Sequence, residues 1–532
     1  MSGSSRPPTP SATPMAMTPV ELGRWAWRQL TSMRTALILL FLLALAAIPG
    51  SVVPQEAVDS LATSRWKEQH QQLTPVYERL GLFNVFGSPW FAAIYLMLVV
   101  SLVGCILPRS RVYWRGLKAQ PPPAPRNLSR LPESRRWETD AEPDDVLTHA
   151  RKALRKHRYR LAAPSGGGTT DTASAERGFL REAGNLLFHL SVLVVLAGFA
   201  VGSLLGFRGG VIVVTKESFT NSLSQYDDFL PGGAFSPSKL APFSFTVKSF
   251  DVTFIQTGRS AGAAHKFYAD LAVRDTPFAE PRDARVSVNH PLTIDGTKVF
   301  LVGHGYAPHI TVRDGKGNIA ASGPVVFLPE SEDFRSYGVV KVPDAQPTQI
   351  GLEGEFYPTY GFTDATGPFS AFPDAKDPEV SMLAYQGDLG QDTGAPQSVY
   401  VLDKSRMKPI MTSAGKPVRL DLPMGATEKL PNGVGTVSFD GLSRFVRLQV
   451  SRTPGTGILL AGTSLALLGL LASLFIRPRR VWVRARREGD RTIVELAGLD
   501  RSSGGDLSGE LDQLQTILSR ERLAPEPEER TT

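Results

Sequence analysis

The chain has 532 residues, 42% of them apolar, with 58 lysines and arginines against 51 aspartates and glutamates. The formal charge of +7 comes from arginines crowded at the ends of apolar blocks, not from a basic patch on a soluble fold, which excludes a nucleic-acid binder. One cysteine, Cys105, excludes an intramolecular disulfide, a CxxC redox pair and a CxxCH haem-attachment motif, and it reads as a small apolar residue of a helix.

The apolar blocks predict a polytopic α-helical membrane protein with four transmembrane helices and a large β-rich extracytoplasmic domain. Residues 1–34 form a disordered N-terminus, rich in Pro, Ser and Thr as far as Thr18, and then a short basic helix. The first span, 35–53, contains an uncharged run long enough to cross a bilayer. That run is long for a signal-peptide core and its leader is not compactly basic, so it reads as retained. Residues 54–89 make a loop of nearly balanced charge. The second span, 90–107, opens at Trp90 and closes at Pro108 beside Arg109, Arg111 and Arg115.

Residues 108–184 start with the proline-rich linker QPPPAPR. Asp144 and Asp145 then precede Val146, Leu147, Ala150, Ala153 and Leu154 at helical spacing, with Arg155, Lys156 and Arg158 at the far end to suit the macrodipole. A strand at 158–162 and a glycine-serine linker complete a small αβ element lying on the membrane surface, in which His149 and His157 read as solvated. The third span is 185–206. Residues 207–455 are the β-rich domain, an antiparallel sandwich or open barrel: Phe243, Phe245 and Val247 alternate with polar residues, as do Phe250, Val252 and Phe254. Residues 292–294 pair with 297–302 across Asp295-Gly296. The fourth span, 456–476, ends at Arg477, Arg479 and Arg480. Residues 477–532 give a hairpin, an amphipathic helix carrying Leu507, Leu511, Leu514 and Leu518, and a disordered tail.

Arginines flank the first span at Arg24, Arg28 and Arg34 and follow the second and fourth, which puts both termini in the cytoplasm and the large domain outside. The chain is then a multi-pass protein of the cell membrane.

His189 is the only histidine in the spans, which hold no carboxylate or lysine. It lies about one turn in from the cytoplasmic end of the third span, where a polar group is costly enough to call for a role. A neutral imidazole can give one axial bond to haem iron, and an interhelical hydrogen bond is the equally open alternative. Met97 is the only internal candidate for a second ligand, and it sits near mid-span. Gly198, Gly202 and Gly206 at four-residue spacing offer a flat stripe for helix packing. His290, His304 and His309 are close in sequence in the outer domain, without the spacing of a metal site. His290 and His304 stand as secondary candidates for a cofactor ligand, no metal site is expected, and no catalytic constellation is present.

LTSMRTALILLFLLALAAIPGSVVPQ, LGLFNVFGSPWFAAIYLMLVVSLVGCILPR, the glycine-then-histidine third span and RTPGTGILLAGTSLALLGLLASLFIRPRRVWV resemble the spans of the ResB family. The chain departs from the family pattern at Thr453, where an acidic residue is common, and at Met33-Arg34. The resemblance implies a subunit of the System II route of cytochrome c assembly. It would export haem b and present it with apocytochrome c, together with a ResC/CcsA-like membrane partner and with a thiol-reducing protein as a further possible partner. The resemblance places the transmembrane haem-ligand role on His189. A tryptophan-rich haem-handling segment belongs to the partner family, and residues 207–455 contain no tryptophan. The competing reading is a scaffold that stabilises the partner or the apocytochrome without binding haem.

Overall fold

The computed structural model describes residues 18–56, 58, 63, 66–67, 69–163, 171–391, 399–500 and 506–520. Residues 1–17, expected to be disordered, and the end of the tail lie outside the described residues. Four helices are long and apolar enough to cross a membrane: Met33–Val52, Pro89–Lys118, Leu180–Leu205 and Thr456–Phe475. The chain divides into two compact units, Met1–Ala200 with Gly455–Thr532, and Val201–Pro454.

In the first unit a basic helix, Pro19–Leu30, starts with a capping box in which Thr18 accepts from the Glu21 N–H while the Glu21 carboxylate accepts from the Thr18 N–H. Ser32 and Ser88 cap the first and second spans by accepting from the Thr35 and Phe91 N–H groups, without the reciprocal bond. The helix of the second span runs on past Pro108 to Lys118, carrying Arg109, Arg111 and Arg115. The proline costs one backbone hydrogen bond, and the carbonyl its ring faces belongs to Gly104. Gly104 also lets the second span meet the chain before the first, since a Cβ there would lie 2.1 Å from the Thr31 methyl. Beside it Ser101 donates to the Leu30 carbonyl at 2.6 Å and Cys105 to that of Thr31 at 2.9 Å.

The third and fourth spans pack through glycines. A Cβ on Gly184 would lie 2.8 Å from the Gly469 carbonyl, one on Gly469 2.5 Å from the Phe188 nitrogen, and one on Gly462 3.0 Å from that of Val195. The small residues at this seam are Gly184, Ser191 and Gly198 on one helix and Gly462 and Gly469 on the other, a seven-residue spacing that keeps one face toward the partner.

The loop between the second and third spans and the tail after the fourth form one sheet. Its order is Glu133–Thr139, Arg491–Asp500, Arg479–Glu488, Thr172–Arg177 and Arg160–Leu161, all antiparallel. The expected hairpin of the tail is therefore the middle of a sheet whose flanks come from the loop. Helices Pro143–Lys156 and Leu507–Arg520 bury Leu147, Leu154, Leu511 and Leu514 against Val483, Val494 and Leu496. The QPPPAPR segment is a strap, not a free linker: Trp482 Nε1 donates to the Pro122 carbonyl at 3.1 Å, and the Arg484 guanidinium donates to those of Pro125 and Arg126.

The second unit is antiparallel throughout its named ladders, in several sheets with no closed barrel among the described residues. Two 18-residue strands, Thr297–Asp314 and Gly435–Arg452, pair along their length and serve two cores. Val299, Leu301, Val446, Leu448 and Val450 face one, with Phe243, Phe245 and Leu271; Ile310, Val312, Val437 and Phe439 face the other, with Leu352, Phe356 and Val380. The two alternating runs around Phe245 and Phe250 belong to one strand, Ser244–Phe254, and the slip of phase between them is a bulge at Val247/Ser249. The Asp295-Gly296 turn joins Leu292–Ile294 to Thr297 as the dipeptide predicts, with positive φ at both residues.

Candidate functional site

His189 lies nine residues on from Leu180, roughly 13 Å along the axis at about 1.5 Å per residue, because the helix begins earlier than the apolar run. The first turn carries Arg181 and Glu182, and the uncharged run that holds His189 starts after them. Its Nδ1 is 2.8 Å from the Asn185 carbonyl, an acceptor only, so Nδ1 carries the proton in the neutral ring and the Nε2 lone pair is left available. The ring packs edge-on to Phe188, with centroids 5.3 Å apart, and is half-buried within the chain. A histidine fixed by a carbonyl through one nitrogen and open at the other is the usual arrangement of a metal-bound imidazole. The residues fit one axial position of a haem iron.

Among the described residues the spans offer Met97 as a second ligand, and it does not face His189. The Tyr95 hydroxyl of the second span donates to the Leu196 carbonyl at 2.6 Å, which places Tyr95 beside the third span. Met97, two residues further, projects from the opposite side of that helix and is exposed. The level of Leu196 is seven residues, roughly 10 Å, from His189. Gly198 lies on the seam with the fourth span, where a Cβ would be 3.0 Å from the Leu459 nitrogen. Gly202 approaches the Pro454 carbonyl and Gly206 that of Arg452, at 3.2 and 2.7 Å.

The histidines of the β domain are not brought together. His290 is exposed beside a turn, and His309 Nε2 is 2.7 Å from Ser443 Oγ. His304 is enclosed by Phe250, Phe254, Phe267 and Phe334, whose ring centroids lie 4.7 to 6.3 Å from its own, with Phe334 stacked on it. Burial, with a smaller contribution from Arg444, pushes its pKa down to about 4 and keeps it neutral. No group of three metal-ligating side chains occurs among the described residues. On the helices, His149 is exposed and His157 caps Pro143–Lys156.

Two features lay outside the sequence reading. Asn185 fixes the His189 tautomer, and its i−4 spacing is the signal that could have found it. Between the first two spans His70 stacks on Trp66, with centroids 4.4 Å apart, and Trp66 on Tyr77 at 4.8 Å; the W-x3-H spacing on a helical turn is the trace of that stack.

The description of the ResB-like family matches residues 33–512. The chain belongs to the ResB-like family. Among relatives, it is similar to the cytochrome c biogenesis protein CcsB of Microcystis aeruginosa, 24% identical over 489 residues that span 90% of this chain and 92% of the relative. The protein of the same name from a Nostoc species is 23% identical over 87% of both chains. That of Thermosynechococcus vestitus is 26% identical over 52% of this chain and 60% of its own length. The ResB-like match takes in all four spans, the five-stranded sheet and the β domain.

Proposed function

We propose that this ResB-like chain is a membrane subunit of a cytochrome c assembly complex, in which His189 offers Nε2 as one axial ligand to haem b. The observation that carries the reading is the Asn185 carbonyl on Nδ1, which leaves Nε2 as a lone pair inside the third span. Bound haem would supply the porphyrin to be attached to an apocytochrome c. This chain's part is to hold the metal side of it with a fixed imidazole. The second axial ligand comes from a ResC/CcsA-like membrane partner, since Met97 is turned away from His189 and distant from it along the helix.

In this reading the shared sheet and both termini lie in the cytoplasm of a cell-membrane protein, where the arginines at 109, 111, 115, 477 and 480 meet anionic lipid. The β domain faces outward and holds the partner or the apocytochrome, with a thiol-reducing protein keeping the client cysteines reduced. Haem then passes outward beside the third span.

The test is the absorbance spectrum of the chain purified with its ResC/CcsA-like partner, native, as His189→Ala, and as His189→Ala with added imidazole. Loss of part of the Soret band and its return with imidazole is the expected result. An unchanged spectrum would assign haem wholly to the partner and leave this chain as a scaffold.

A further inference from the structure

A cavity of about 530 Å³, within the range of small-ligand pockets, opens where the ends of the third and fourth spans meet the five-stranded sheet. Its floor is apolar, formed by Phe179, Leu180, Phe475 and Ile476. Its rim carries five guanidiniums and one carboxylate, Glu176. These cations are not equally engaged. Arg479 is buried and ion-paired to Asp500 and Glu510, and Arg177 shares Glu510. Arg160 donates to the carbonyls of Leu117 and Ala119 that end the second span, and lies over the Phe179 ring. Glu176 faces Arg480 at 3.5 Å. Arg158 and Arg477 are exposed on the rim.

Arg158 stands where helix Pro143–Lys156 ends in a Schellman turn: its N–H donates to the Arg155 carbonyl and that of Tyr159 to the Leu154 carbonyl, both at 2.9 Å. Its φ is +60°, the left-handed conformation for which glycine is the ordinary choice at that position. A residue with a long charged side chain holds that strained place and turns it toward the cavity rim. Below the rim, Leu180 and Phe475 are exposed along the outside of their helices, so the apolar floor runs on into the surface the spans present to lipid.

We propose that this cavity binds the phosphate head group of an anionic phospholipid, with its acyl chains continuing along the third and fourth spans. Planar guanidiniums match phosphate oxygens in paired hydrogen bonds, and the apolar floor accepts the glycerol end of the chains. Arg158 and Arg477 contact the phosphate, while the ion-paired Arg479 fixes the wall behind them. The inference rests on the spans lying in a bilayer and is independent of the haem reading.

The test uses the full chain in nanodiscs of phosphatidylcholine with and without phosphatidylglycerol, reading lipid retained by native mass spectrometry and the melting temperature. The Arg158→Gly, Arg477→Gln double variant keeps the turn, because glycine suits it, and is expected to retain phosphatidylglycerol about tenfold less, each arginine near a membrane surface being worth several-fold in binding. A Lys152→Gln, Arg155→Gln control, on the same helix but outside the cavity lining, retains it as the native chain does. Equal retention by the cavity variant overturns the proposal, as does equal loss in the control, which would mean diffuse attraction. Inorganic phosphate in discs of phosphatidylcholine alone raising the melting temperature as far as phosphatidylglycerol does would overturn it too, leaving the site a free-anion site without a lipid.

Discussion

In the five-stranded unit the buried charges sit where segments far apart in the chain cross. Arg484 of the tail reaches the Pro125 and Arg126 carbonyls and Asp171 of the loop, Arg480 faces Glu176, and Glu510 takes Arg177 from the loop beside Arg479 from the tail. In the β domain, which is one continuous stretch of chain, the corresponding places are filled by rings: Phe219, Phe243 and Phe245 in one core, Phe327, Phe356 and Phe439 in the other. Apolar burial is indifferent to which partner is met, whereas a buried ion pair is costly unless its own partner arrives. A sheet assembled from a loop and a distant tail has more wrong pairings to reject than one whose strands follow each other, and the contrast ties the buried charge to that need.

The largest effect should come from breaking one such crossing. Arg479→Ala takes a buried guanidinium from Asp500 and leaves Glu510 to Arg177 and Tyr159, and should cost the five-stranded unit about 3–5 kcal/mol, read by pulse proteolysis of the full chain with the fragments identified by mass. Arg479→Met with Glu510→Leu and Asp500→Leu should restore most of it; if the restored unit also keeps its native cleavage pattern, the ion pairs are not what selects the pairing.

The next is an acid effect confined to the β domain. His304 has an ordinary pKa of 6.5 and a folded one of about 4, so the unfolded chain takes up its proton first as pH falls. Stability is full above about pH 6.5 and declines toward pH 4, by roughly 2–3 kcal/mol. His304→Phe should flatten that decline in the 297–314 strand and leave the five-stranded unit unaffected. A decline of the same size in the variant would remove His304 as its cause. The smallest effect is expected at the strap: Trp482→Phe deletes one hydrogen bond to Pro122, about 0.5–1.5 kcal/mol, and should raise proteolysis at 120–126 without loosening the sheet.

How much of this was legible follows from how local the signal is. The four spans were readable because a bilayer demands a long apolar run, and the Asp295-Gly296 hairpin because its dipeptide suits the turn. The bulge in Ser244–Phe254 was present in the sequence as a slip from odd to even positions between two alternating runs. The strand Glu133–Thr139 was not readable: ESRRWET alternates poorly, and its partner lies more than 350 residues away, across two spans and a domain. The helix beyond Pro108 was not legible, since a proline removes one backbone hydrogen bond and reads as a boundary where the flanking residues turn polar. At the candidate site His189 stood out as the one histidine of the spans, while Asn185 was missed although it lies at helical i−4 spacing from it. The glycines at four-residue intervals drew attention from those at seven, which line the seam. The rings around His304 come from three separate segments, so nothing near position 304 announces them.

The order of the five-stranded sheet also bears on synthesis. The strands at 133–139 and 172–177 leave the ribosome long before Arg479–Glu488 and Arg491–Asp500, which separate them in the finished sheet. Until the last of the four spans has been inserted, Glu133–Thr139 has no neighbour, Thr172–Arg177 has only Arg160–Leu161 on one side, and the strap has no Trp482 or Arg484 to lie against. A chain interrupted anywhere before residue 479, however well its earlier parts fold, therefore displays unpaired strand edges and an uncovered apolar helix face. Closure of this sheet thus acts as a seal on a completed polypeptide.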